Sequence, residues 1–344
     1  MNNPFSLTFG KEPKSFIEQD EQNMEIITSF KNDNPEAQVC MLTGIRGSGK
    51  TVTMTAIANT FRADPKWIVA DLNPERNLLE MLVAQLYRNQ TFKSIVSNAK
   101  FNLSIPGIGG VEFDRGNIFN DPAVILDELL DKLTQDGKKL LVTIDEVSNN
   151  QNIREFVSQF QIYIRRNYNV FLIMTGLYEN IYDLQNEKTL TFLYRAPKIE
   201  MKPLNISLVM LKYQDIFELD AVSALKMAQF TMGYPYAYQV LGSLCFKRST
   251  TYEKVVDEFD MILGEYVYRK IWSECSAKDK EVMKSLVLSA EGKAEEIRER
   301  LKMPKNAYSV YRERLLRKGL VRPSSYGCLE LTLPRFKEFV LRTM

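Results

Sequence analysis

The chain has 344 residues, 45% of them hydrophobic and 26% charged, which suggests two or three domains and excludes a disordered or collagen-like chain. Histidine is absent, removing serine-histidine triads, histidine general bases and histidine-containing zinc sites. Net charge is only +2, yet residues 264–344 hold 18 Lys and Arg against 11 Asp and Glu, a net +7 that leaves −5 for residues 1–263. An acidic body carrying a basic tail directs any polyanion partner to the carboxy-terminal part.

The four cysteines, at 40, 245, 275 and 328, have no zinc-knuckle or redox spacing, and a reducing cytoplasm is the simplest setting. Met1 to Gly10 has no basic stretch followed by an apolar core, and apolar runs such as Val170 to Met174 fall far short of a membrane span. The expectation is a cytoplasmic protein with no membrane partner.

The first element to read clearly is an apolar strand, Gln38 to Thr43, followed by the glycine-rich Gly44 to Gly49 and a helix-patterned Lys50 to Phe61. A second strand, Trp67 to Leu72, leads through Asn73-Pro74 into a helix ending near Arg88. Leu140 to Ile144 and Val170 to Met174 are further strands, with a last one over Lys198 to Met201. Short, continuously apolar strands separated by helices predict an α/β fold: a parallel sheet covered on both faces. Between the second and third strands, residues 101–114 alternate apolar and polar around Pro106-Gly107, the pattern of a β-hairpin insertion.

After Pro203 the strand signals stop. Ser207 to Leu263 reads as a small helical lid broken at Gly233-Tyr234-Pro235. From about Tyr268 come helices over Ala277 to Ser289, Lys293 to Lys302 and Lys305 to Lys318, then two short strands around Ser324 to Gly327, a winged-helix order. The expected organisation is a core over 1–205, a lid over 206–267 and a winged helix over 268–344.

Gly44-Ile45-Arg46-Gly47-Ser48-Gly49-Lys50-Thr51 fits G-x-x-x-x-G-K-[ST] completely. Its glycines let successive amide groups turn toward phosphate, the following helix start adds positive potential, Lys50 reaches the outer phosphates and Thr51 ligates magnesium. With Val52 completing the loop, this stretch is the candidate ATP site. The strand Leu140 to Ile144 delivers Asp145-Glu146 to the carboxyl edge of the sheet, where ligands bind. Asp145 would hold magnesium and Glu146 would polarise the attacking water. Thr175, at the end of the neighbouring strand, is a candidate contact to the outer phosphate or the water. Arg195 is a candidate finger toward a neighbouring subunit's nucleotide, with Arg165 and Arg166 competing for the role. Gly233 and Pro235 are candidates to bring lid backbone against adenine.

Taken together, Asn3-Pro4-Phe5 with Phe9-Gly10, the glycine loop, Ile144-Asp145-Glu146, Arg195, Gly233-Tyr234-Pro235 and the carboxy-terminal helices resemble AAA+ ATPases of the replication-initiator (origin-recognition) and STAND-like branch. The chain is particularly similar to bacterial initiator-like ATPases of mobile elements. Such relatives usually carry a Gly-Arg-Asp-like box before the first helix, where this chain has Glu18-Gln19-Asp20. The resemblance implies a P-loop AAA+ fold and slow ATP hydrolysis with magnesium. It also implies nucleotide-driven switching or assembly into a homo-oligomer, often on DNA.

Residues 301–344 hold ten Lys and Arg against three Asp and Glu, with Lys305, Tyr308, Arg312 and Arg314 on the predicted recognition helix. Double-stranded DNA is therefore the expected partner of the winged helix. The rival reading is a STAND-like signalling switch whose winged helix binds protein.

Overall fold

The computed structural model describes residues 2–8, 13–17, 20–89 and 121–344, apart from the side chains of residues 20–22. The hairpin expected over 101–114 lies outside the described residues, as do Phe9, Gly10, Glu18 and Gln19. Within them the chain forms two compact units. One comprises residues 20–43 and 53–199; the other comprises 1–19, 44–52 and 200–344.

The first unit holds a five-stranded sheet in the order β2-β3-β4-β1-β5, formed by Val39–Thr43 (β1), Trp67–Leu72 (β2), Lys139–Ile144 (β3), Val170–Gly176 (β4) and Lys198–Glu200 (β5). The pairs β1–β4, β2–β3 and β3–β4 are parallel. β1, β3 and β4 are buried almost throughout, as strands covered on both faces must be, and that is why they read as unbroken apolar runs. The chain leaves β1, crosses β4 and β3 to reach β2, steps back through β3 and β4, then passes β1 to reach β5 on its far side. This order creates a switch point beside β1 at the carboxyl edge of the sheet, the position where α/β folds bind ligands.

Helices Leu78–Arg88, Pro122–Gln135 and Gln151–Arg165 start at Asn77, Asp121 and Asn150, whose side chains each accept a backbone N–H of the first turn. They bury Leu82, Leu126, Leu129, Phe156 and Phe160 against β3 and β4 residues such as Leu140 and Leu172. On the other face Phe30, Phe61, Trp67 and Phe171 form a ring cluster with centroid separations of 4.2–6.3 Å. Phe30 comes from the helix Asp20–Lys31, which precedes β1; residue patterning alone does not give it, and only the resemblance sets a first helix after Glu18-Gln19-Asp20.

The second unit is helical apart from the antiparallel pair Val321–Ser325 (β6) and Cys328–Leu331 (β7). Helices Ile206–Phe217, Ala221–Phe230, Pro235–Arg248 and Val256–Leu263 occupy the expected lid. Phe5 packs on Tyr213, Phe217 and Tyr238 at 5.6–6.0 Å, so the amino-terminal segment belongs to this core. Helices Ala277–Leu288, Ala294–Arg300 and Lys305–Arg317 precede β6 and β7, the three-helix-and-hairpin order read from the sequence. A further helix, Phe336–Arg342, closes on this region. There Asp260, 3% exposed, accepts Arg335 at 2.7 Å and Arg342 at 3.0 Å. Among the described residues no helix is long and apolar enough to cross a membrane.

Candidate functional site

The glycine loop leaves the carboxyl end of β1 and runs into the helix Lys50–Arg62. Gly47 and Gly49 have φ of +72° and +91°, the left-handed region that favours glycine. Ser48 N–H donates to the Ile45 carbonyl at 3.3 Å, and the Lys50 ammonium donates to the Gly44 and Ile45 carbonyls at 2.8 Å each. Lys50 and Ser48 are both buried, and the Ser48 hydroxyl has no hydrogen-bond partner among the described residues. A buried lysine, two left-handed glycines and an orphaned hydroxyl fit a phosphate-holding loop, because phosphate oxygens would accept from all three kinds of donor.

Tyr234 and Tyr236, in the same unit, fix this loop. The Tyr234 hydroxyl donates to the Arg46 carbonyl, and the Tyr236 N–H donates to the Gly47 carbonyl at 3.2 Å. Burial keeps the Tyr234 phenol neutral by raising its pKa, with Tyr236 adding to the rise. A methyl group on Gly47 would sit 2.1 Å from the Tyr234 hydroxyl, whereas one on Gly49 would meet Pro235 at an ordinary 3.8 Å. Gly233 is left-handed at φ +70°, and a methyl there would lie 2.4 Å from the Leu204 carbonyl oxygen. Arg46 reaches Glu274 at 2.8 Å. Sequence reasoning assigned Gly233 and Pro235 to this motif but missed the aromatic between them and Tyr236. The signal was available only as two tyrosines flanking a proline.

At the carboxyl edge of the sheet, Asp145, Glu146 and Thr175 form one network. The Thr175 hydroxyl donates to Asp145 Oδ1, and the Glu146 N–H lies 3.1 Å from both Thr175 Oγ1 and Asp145 Oδ1. Val147 N–H donates to the Thr175 carbonyl at 2.8 Å. Glu146 itself has φ +53°, uncommon for a non-glycine residue and of the kind that accumulates at functional sites. Asp145 is thereby held by a fully buried threonine while Glu146 stays exposed. Thr43, at the end of β1, is also fully buried, and its hydroxyl has no partner among the described residues. The register pairs Leu42 with Thr175, so two strand-end threonines stand on neighbouring strands, of which sequence reasoning named one.

Arg195 ends the short 3-10 segment Thr191–Arg195 and is exposed. Of its competitors, Arg166 is ion-paired with Asp127, and Arg165 is exposed in the last turn of its helix.

On Lys305–Arg317 the sequence reading groups Lys305, Tyr308, Arg312 and Arg314, and the structure separates them: Lys305 is exposed. Tyr308 is 3% exposed and belongs to the core. Arg314 is committed to Asp279 and Ser276. Arg312 is half-buried.

This architecture is the P-loop AAA+ fold, and solved structures of low sequence identity share it. The Walker-type ATPase paby2304 of Pyrococcus abyssi superposes with a TM-score of 0.69 at 15% identity, over 98% of this chain and 99% of that one. The ORC2 protein of Aeropyrum pernix, in its ADPNP-ADP complexes, gives 0.64 at 14% identity over 97% and 96%. Its ADP form gives 0.52 at 13% identity over 97% and 96%. A family described as "Domain of unknown function (DUF8462)" matches residues 265–340. No curated protein matches the chain.

Proposed function

We propose that the chain is an ATP-binding AAA+ ATPase that couples ATP binding and slow hydrolysis to DNA binding or oligomeric assembly. The observation that carries this reading is the Thr175–Asp145–Glu146 network, built at the carboxyl edge of a sheet whose β1 continues into a complete glycine loop.

The bound group would supply a phosphoanhydride and a divalent cation. The loop residues Gly44 to Val52 would hold the phosphates, with Lys50 contributing charge, and Thr51 and Asp145 are the residues that would hold the cation. Glu146 accepts a proton from the attacking water, while Thr175 keeps Asp145 oriented and fixes the backbone of Glu146. Gly233 and Pro235 shape the adenine side. Arg195 acts on a neighbouring subunit's nucleotide; its exposure and the engagement of Arg166 elsewhere support that choice over Arg166. The organisation proposed is an ATPase core over 1–205, a lid over 206–267 and a winged helix over 268–344, working in the cytoplasm. The net +7 of residues 264–344 supports double-stranded DNA as its partner.

Phosphate release by the purified protein with ATP and magnesium, compared with Lys50→Ala, tests the enzyme; equal release by both would end the assignment. Titration with duplex DNA, with and without ATP, tests the coupling. Affinity that falls steeply with salt supports DNA as the partner, whereas no binding at low salt favours a switch whose winged helix meets protein.

A further inference from the structure

Arg46, in the middle of the glycine loop, is held at both ends by residues of its own compact unit. Its carbonyl accepts the Tyr234 hydroxyl, and its guanidinium meets Glu274 twice, Nη2 to Oε1 at 2.8 Å and Nε to Oε2 at 3.4 Å. A guanidinium fork on a carboxylate fixes direction as well as charge. The next residue is Gly47, where the left-handed turn begins.

Glu274 is itself held in place. It follows the short helix Arg269–Ser273; its N–H donates to the Lys270 carbonyl at 3.2 Å, and Lys270 Nζ lies 3.5 Å from its Oε1. Lys318, at the end of Lys305–Arg317, donates to the Glu274 carbonyl at 3.2 Å. The residue after it, Gly319, is left-handed at φ +69°, and a methyl group there would lie 3.0 Å from Ile45 Cγ2. Ile45 packs half-buried against the core that contains Ile271, Cys275 and Leu320. Two consecutive loop residues therefore rest on the ends of two carboxy-terminal helices.

We propose that Glu274 is a positioning residue for the phosphate loop. A carboxylate cannot ligate phosphate, so it acts through Arg46: by holding that guanidinium it makes the shape of Gly44 to Gly49 depend on the carboxy-terminal helices being in place. The role rests on the reading of the loop as a nucleotide site and specifies how the carboxy-terminal region is linked to it. By reciprocity, a nucleotide that orders the loop strengthens the hold on Glu274, and a partner that draws those helices away weakens nucleotide binding.

The test titrates the full chain calorimetrically with ADP and magnesium. Glu274→Gln keeps the size of the side chain and removes its charge. Charge alone would tighten ADP binding, because an anion beside the phosphate loop is gone. Lost positioning should instead weaken binding by about 2- to 5-fold, the range of a partly exposed ion pair. The opposite signs separate the two effects. Arg46→Gln with Glu274→Gln should bind no more weakly than Arg46→Gln alone, since the pair can be broken only once. Glu281→Gln, which breaks an exposed pair with Lys278, makes the same charge change and should leave affinity unaltered. In turnover assays Glu274→Gln should raise KM and retain kcat at saturating ATP. Unchanged or tighter ADP binding by Glu274→Gln would overturn the positioning role and leave the nucleotide reading standing. Absence of ADP binding by the wild type would overturn that reading, and the role with it.

Discussion

Arg314 reaches back 35 residues to Asp279: its Nε lies 2.8 Å from Asp279 Oδ1, and its Nη2 lies 3.0 Å from the Ser276 hydroxyl. Asp279 is 1% exposed at its side chain and also closes the capping box that starts Ala277–Leu288. One carboxylate thus serves a helix start and an arginine two helices away. Arg314 is partly exposed but Asp279 is not, so removing the arginine leaves a buried carboxylate with only its helix-start contacts, and Arg314→Ala should cost about 1–3 kcal/mol of stability. Urea denaturation at neutral pH checks this. A change in midpoint too small to resolve would show that water compensates the aspartate.

Gly47 predicts a coupled effect between loop and lid. Placing alanine in its left-handed conformation costs about 1–2 kcal/mol from the backbone alone, and the new methyl would meet the Tyr234 hydroxyl at 2.1 Å. Gly47→Ala should therefore lower both stability and ATP affinity. Tyr234→Ala opens a cavity and removes the Arg46 contact, so it carries its own loss, but the double variant should lose less than the sum of the two single variants, because the clash is counted only once. Calorimetric ATP titration of the two single variants and the double variant measures the coupling, and strict additivity would mean that the loop yields without touching Tyr234.

Glu146 and Arg195 predict complementation. Glu146→Gln preserves shape but not basicity, and a lost general base lowers hydrolysis by on the order of 10²- to 10⁴-fold; ATP should still bind. If Arg195 acts on a neighbour's nucleotide, Arg195→Ala subunits mixed with Glu146→Gln subunits should regain activity, since one interface then combines an intact Glu146 with an intact Arg195. Wild-type activity per subunit should also rise with protein concentration. Flat activity and no rescue would assign Arg195 to its own subunit or to structure.

Stability at alkaline pH follows from buried acids. Burial, reinforced by Glu25 at Cys40 and by Glu253 at Cys245, pushes both thiols from about 9 to about 12, and burial with Glu128 pushes the Tyr87 phenol to about 12. Each folded-state value lies above the unfolded one, so the contribution is fully present below pH 9 and is lost as pH rises toward 12. The urea midpoint should decline across that window. All four cysteines are buried, so a thiol-reactive dye at pH 8 should label the unfolded protein far faster than the native one.

Much of the sheet and its loop was legible in the sequence because burial on both faces writes strands as continuous apolar runs. β2 was read at its observed limits, Trp67–Leu72. Asp20–Lys31 was missed because its apolar positions, such as Ile26 and Phe30, sit among polar residues with little periodic contrast. Phe336–Arg342 was missed because it is only seven residues long and follows a left-handed Arg335 with no side-chain cap. The glycine loop and Asp145-Glu146 were legible because phosphate chemistry restricts residue type and spacing. The partners of Arg314 and the hydroxyl contact of Tyr234 were not, since they join positions 35 and 188 residues apart.

The placement of Phe5 against Tyr213 and Tyr238 has a consequence for the order in which the protein is made. The residues of the sheet-bearing unit have all been synthesised by Ile199, whereas the amino-terminal segment waits for helices more than two hundred residues downstream. At roughly 5 to 20 residues per second the delay is about 10 to 45 seconds. During that time Phe5 and Ile17 remain exposed on the ribosome-bound chain, and the glycine loop lacks the two tyrosines that fix it. The nascent sheet can assemble well before the phosphate loop acquires its finished shape, so nucleotide affinity should emerge late in synthesis, after the chain has passed Tyr236.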